Sequence, residues 1–224
     1  MVLSGILFVL RTGCPWRDLP ESYGKWQTVY SRFRLWCREG LFSRILAQLG
    51  RKAVGALRHL DSSHIKLHQH GANPRGGQAT QAMGRTKGGL NTKLSAVVDG
   101  RGRALAVSLD CGQRHDLLAA LPVLKAARGH CLVADRGFDA DTFRARLRRQ
   151  RSRPCIPPKR RRRLPVRFHR GYYRHRRQVE NFFGRIKAHR RISTRYDKLA
   201  ETFLGFVHLA AALDWLTHGF SDTP

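Results

Sequence analysis

The chain has 224 residues, and its 43 Lys and Arg against 15 Asp and Glu give a formal charge of +28 at pH 7. That excess goes far beyond solubility and points to a polyanionic partner. No stretch approaches the roughly 18–20 apolar residues of a membrane span, and the five scattered cysteines contain no Cys-x-x-Cys pair, which argues against a membrane protein, a disulfide scaffold and a zinc knuckle.

The apolar opening MVLSGILFVL has no basic region before it and no small-residue cleavage site after it, so it reads as a buried helix rather than a signal peptide. Helical apolar spacing continues to about residue 50, punctuated by Pro15, Pro20 and Gly40 into three short helices. This segment, 1–52, is either a DNA-holding helix-turn-helix module with Arg32, Arg34, Arg38 and Arg44 outward, or a packing or dimerising bundle.

From about residue 56 the period changes. Residues 57–65, 94–98 and 104–109 read as strands, the last two joined in a hairpin by Asp99-Gly100-Arg101-Gly102. Residues 117–127 read as a helix, 131–134 as a strand, 142–149 as a helix and 154–158 as a strand. A helix over 172–189 and an apolar closing helix over 199–216 complete the chain. Antiparallel strands followed by alternating strands and helices predict an α/β layered sheet over 53–224. The glycine-rich region 71–89 reads as a flexible loop whose Arg75, Arg85 and Lys87 either track a DNA backbone or are simply solvated.

The chemistry is concentrated in a few acids. Glu180 is the only carboxylate among residues 144–195, a stretch with 21 Lys and Arg. It is either a metal ligand or the partner of Arg176 one helical turn earlier. Asp61 interrupts an apolar strand, and Asp135 follows one, at the end where open α/β sheets bind ligands; either is otherwise a cap or turn former. At about 100° per residue, Tyr173, Arg176, Glu180 and Lys187 fall on one helix face, beside the apolar row Val179, Phe182, Phe183 and Ile186. The run Lys159, Arg160, Arg161, Arg162 and Arg163 is too charged to pack and reads as a solvated loop or a phosphate clamp. His64, His68 and His70 lack the further ligands a zinc site needs.

Tyr173, Arg176, Glu180 and Lys187 match the Tyr-x2-Arg-x3-Glu-x6-Lys pattern of bacterial insertion-sequence transposases with an Asp-Asp-Glu triad, and the chain resembles in particular the insertion-sequence-five family. The segments 12–20, 61–70, 88–93, 134–139 and 190–198 resemble further blocks of that family in the same order, almost end to end. Relatives usually carry a further segment before the part matching Val2, so the chain is expected to be shortened at its start.

The resemblance implies an RNase H-like fold, with Asp61, Asp135 and Glu180 binding two Mg2+ or Mn2+ ions. Arg176, Lys187 and Tyr173 would contact DNA near the scissile bond, with Arg176 or Lys187 alternatively clamping Glu180. The implied activity is cleavage at the ends of an insertion element and joining of 3′-hydroxyls to target DNA in the bacterial cytoplasm, at the nucleoid. The expected partner is double-stranded DNA, both terminal repeats and target, held by a homo-oligomer and not by membrane. The alternative is a noncatalytic DNA-binding remnant or regulator.

Overall fold

The computed structural model describes residues 1–74, 76–164 and 166–219. Arg75, one of the loop cations named above, lies outside them, as do Pro165 and the last five residues.

Three helices open the chain: α1 (Val2–Thr12), α2 (Trp26–Arg38) and α3 (Leu41–Gly50). Gly13 stops α1 at φ 70, where its amide bonds back to Val9, and a Cβ there would meet Arg190 at 3.1 Å. A side chain at Gly13 is thus opposed by both backbone strain and crowding. The inward row Ile6, Val9, Leu10, Phe33, Phe42 and Leu46 enters one core with Phe203, Phe206, Val207 and Ala210 from the last helix. The rings of Phe33 and Phe206 lie 4.3 Å apart at its centre.

The strands are β1 (Leu57–Leu67), β2 (Gly84–Thr86), β3 (Gly89–Asp99), β4 (Ala104–Cys111), β5 (Cys131–Ala134), β6 (Arg153–Cys155) and β7 (Thr194–Arg195). The later helices are α4 (Asp116–Ala119), α5 (Asp141–Arg149), α6 (Arg170–Tyr173), α7 (Arg177–Lys187), α8 (Arg190–Ser193) and α9 (Ala200–Gly219). Along one line the sheet runs β4-β3-β1-β5-β6. β3 is antiparallel to both neighbours, while β1, β5 and β6 are parallel. This is the RNase H-like mixed sheet that the sequence led us to expect.

Alternation along the strands divides two apolar layers. Leu60, Val97, Leu132 and Ala134 face α5 and the 3-10 stretch Leu121–Ala127 through Val123, Leu124, Phe143 and Leu147. Ile65, Leu94, Ala96 and Val98 face α7, α9 and the N-terminal helices.

The structure departs from the sequence reading at three elements. The helix expected over 117–127 is a single turn followed by 3-10 geometry, with Pro122 removing an amide donor at the changeover. The strand expected over 154–158 stops at Cys155 because Pro157 and Pro158 cannot donate to a ladder. The long helix over 172–189 is α6 and α7 joined by the tighter turn Arg174–Arg176.

Because Phe206 is wholly buried between the two parts of the chain, Phe206→Ala should lower the unfolding free energy by about 3–5 kcal/mol, read from a urea titration.

Candidate functional site

β1 pairs with β5 only as far as Leu60↔Ala134. It next pairs on that side with β7, at Lys66↔Thr194. Between these contacts residues 61–65 form an opening in the sheet, and Asp61 and Asp135 are the next residues after the last parallel pair. Neighbouring strands lie roughly 4.8 Å apart, so the register brings the two residues to adjoining strand positions. Side chains meet the backbone groups of this stretch: Ser62 N donates to Asp61 Oδ1 at 2.8 Å, and Lys187 Nζ donates to the His64 carbonyl at 3.3 Å.

Glu180 arrives from the other side. Buried Val179, Phe182, Phe183 and Ile186 seat α7 on the sheet, which leaves Glu180 half exposed in the first turn, where the helix dipole favours a carboxylate. Arg176 joins the groups: its Nη1 donates to Asp61 Oδ2 at 3.0 Å, and its Nη2 donates to Glu180 Oε1. Burial alone would lower the Arg176 pKa, but Glu180 and Asp61 outweigh it and the pKa is raised.

Asp61 titrates above the ordinary carboxylate range. Burial is the main cause, and the charges of Asp135 and Glu180 add to it against the Ser62 amide and Arg176. The three acids therefore share one electrostatic neighbourhood. Three carboxylates are the oxygen donors that a hard divalent cation such as Mg2+ or Mn2+ takes. Among the described residues, however, no three His, Cys, Asp or Glu side chains close to ligating geometry, and Arg176 lies between Asp61 and Glu180.

The remaining site residues named from sequence fall in different places. Lys187 Nζ donates to Ser63 Oγ at 2.6 Å, beside the opening, and burial lowers its pKa. Tyr173 packs edge-on against Phe168, directly before the 3-10 turn Arg174–Arg176, which reaches Asp61 through Arg176. Lys159, Arg160, Arg161 and Arg163 are exposed.

Arg162 differs from its neighbours. Its guanidinium donates to buried Asp139 at 2.8 Å and also to Asp141. The basic run thus does pack through this one residue, because a buried carboxylate four residues past Asp135 holds it. Asp139 also accepts from the Lys159 amide and from buried Arg144. The sequence reading missed this anchor, since nothing in periodicity links 139, 144 and 162. The loop over 71–89 is likewise tied down: Arg195, fully buried, donates to the carbonyls of Gln81 and Ala82, and β2 pairs with β3. The rings of His68 and His70 meet edge-on, and His68 also lies against Tyr196.

A family model described as “Transposase DDE domain” matches residues 55–215. The chain belongs to that transposase family. A second model, “Putative transposase of IS4/5 family”, matches residues 1–46. The transposase is similar to a Brucella ovis protein named “Putative transposase for insertion sequence element IS6501”, 35% identical over 143 residues, which are 57% of this chain and 99% of that protein. It is also similar to a 16.2 kDa protein of insertion element IS402 from Burkholderia cepacia, 47% identical over 45 residues, which cover 19% of this chain and 31% of that one. Mos1 transposase in a paired-end complex with the left transposon end aligns over 84% of this chain and 78% of its own, at TM-score 0.31 and 11% identity. No helix among the described residues is long and apolar enough to cross a membrane.

The raised Asp61 pKa has a stability consequence. A carboxyl whose folded pKa lies above its unfolded value binds more protons in the folded state, so its contribution is full below the unfolded pKa and is lost as pH rises through the folded one. In chelator, Asp61→Asn should therefore melt higher than wild type at neutral pH, with the gap closing as pH falls below the ordinary Asp range. A lower melting temperature for the variant at neutral pH would contradict the burial argument.

Proposed function

We propose that this transposase cuts DNA at the ends of its element and joins the freed 3′-hydroxyls to target DNA. Asp61, Asp135 and Glu180 would hold two Mg2+ or Mn2+ ions. The observation that carries this reading is the bridge that Arg176 makes from Asp61 to Glu180 at the opening in the sheet, where Asp135 is the next residue after the last β1–β5 pair. When bound, the metal pair supplies an activated hydroxyl and charge stabilisation at the attacking and leaving oxygens.

The chain's own residues supply position and charge. Asp61 stands in β1 and Asp135 directly after the adjacent β5, and Glu180 is carried by a helix with four buried anchors. Arg176 neutralises Asp61 and Glu180 until another cation does so, and its guanidinium then turns to a phosphate oxygen of the DNA. Lys187, fixed beside Ser63, offers a second cation at the edge of the same opening. Lys159, Arg160, Arg161 and Arg163 add backbone affinity from a loop that Arg162 fixes to Asp139, four residues past Asp135. Residues 1–52 form the helical module and 53–224 the catalytic part in this reading. Two element ends must be held at once, which calls for a homo-oligomer on DNA.

The test is nicking and joining of a labelled duplex carrying the inverted repeats that flank the gene, with Mg2+, Mn2+ or chelator. Asp135→Asn should lower cleavage at least about a thousandfold while duplex affinity stays within about threefold. Undiminished cleavage by that variant would remove Asp135 from the site. Wild type that binds the repeats but never nicks them would return the noncatalytic reading.

The loop gives a separate prediction. Replacing Lys159, Arg160, Arg161 and Arg163 with Gln should flatten the log–log salt dependence of binding by roughly 3 to 4, at about 0.9 per lost phosphate contact. An unchanged slope in a fluorescence-anisotropy titration would show that the loop does not touch DNA.

A further inference from the structure

Beyond the opening at Asp61, the α5 layer carries a second basic feature. α5 starts just past Asp135 and returns along the sheet to the start of β6, because β5 and β6 are parallel. The 3-10 stretch Leu121–Ala127 leads in the same direction into β5. Between the two lies a trough of about 720 Å³, with Leu121 and Leu124 in its lining and Lys125, Arg128, Arg146 and Arg149 around it. A smaller hollow of about 300 Å³ adjoins it and shares Leu121, Arg146 and Arg149.

Three observations separate this trough from the general basic surface. All four cations are exposed, and their side chains make no ion pair or hydrogen bond among the described residues. Residues 117–134 and 142–151, which supply the walls, contain no Asp or Glu. The walls are also locked together: Gln150 Nε2 donates to the Leu124 carbonyl at 3.0 Å and Ser152 Oγ donates to the Ala127 carbonyl at 2.7 Å. A preformed concave surface with four unpaired cations binds a polyanion with little reorganisation. Arg146 and Arg149 stand one turn apart on one helix face, a spacing of about 5–6 Å between Cβ atoms, which suits successive contacts along one backbone.

We infer that this trough is a second duplex-DNA site, holding the backbone of a duplex other than the one at Asp61, Asp135 and Glu180. The inference rests on the reading that DNA is the partner. The trough lies on the sheet face away from α7, so a duplex there runs past the α5 layer while another meets Arg176 and Lys187. The basic loop at 159–163 is fixed to Asp139 and Asp141 at the start of α5. Either the other element end or target DNA offers the same phosphate backbone.

The experiment uses the full chain and two duplexes, one immobilised through biotin and the other fluorescent. Protein is loaded on the first, washed, and then offered the second, with or without a terminal repeat to tell a partner end from target. Wild type should hold both. K125Q/R128Q/R146Q/R149Q should hold the first within about threefold but capture the second at least about tenfold less. R146Q/R149Q should lower the log–log salt slope of second-duplex capture by roughly 2. Equal capture by the quadruple variant overturns the inference. A loss of capture that follows a loss of self-association in sedimentation also overturns it, since the occupant would then be another copy of the chain. If wild type holds not even the first duplex, the reading of DNA as partner fails, a different result from failure of the trough alone.

Discussion

Placing three carboxylates at one half-buried opening of a sheet costs free energy unless positive charge arrives with them. Arg176 is that charge, and much of the surrounding architecture serves to deliver it. The tight turn at Arg174–Arg176 interrupts what would otherwise be one long helix and presents the guanidinium to Asp61. The four apolar anchors of α7 then hold Glu180 one turn away. The cost has not vanished, as the raised pKa of Asp61 shows; local stability has been given up to keep the acids together.

The positive charge of the chain has two uses that composition cannot separate. Arg144, Arg191 and Arg195 are buried and bind carboxylates or backbone carbonyls inside the protein. Arg191 also donates to the Cys14 carbonyl, tying the N-terminal helices to the segment after α7. Arginine suits such positions because its planar fork satisfies several acceptors at once while staying charged. A variant of any of these three would leave buried acceptors unpaired. The formal +28 therefore overstates the charge on the outer surface, and it is location that identifies Lys125, Arg146 or Arg160 as available.

Much of the fold was legible because its signals are local. The apolar alternation of β1 and β3, the Asp-Gly turn before β4 and the 3.6 period of α2 and α7 each sit within a dozen residues. Asp61, Asp135 and Glu180 could be named from their sequence settings, but their meeting depends on the parallel register of β1 and β5 and on one long-range bond from Arg176. Partnerships across distant segments stayed hidden. Arg162 looked like one cation among five until Asp139 was seen beneath it, and the bond from Lys187 to Ser63 joins residues 124 apart in the chain. The broken helices reflect Pro122 and the tertiary pull on Arg176, neither of which periodicity weighs.

The opening in the sheet also constrains how the molecule can move. The chain leaves β1 across from Asp61 at Arg176, runs through α7 and α8, and rejoins the same strand where Thr194 pairs with Lys66. α7 is thus a strap fastened to one strand at both ends, with Lys187 on Ser63 as a third fastening. Sliding it along β1 would break all three attachments together. Rolling it about its long axis would unseat Val179, Phe182, Phe183 and Ile186 and break the Arg185 bonds to Asp214 and Gly102, so the helix stays fixed on the sheet. What remains free to approach the other two acids is the half-exposed Glu180 side chain, while the helix that carries it and the sheet beneath stay still.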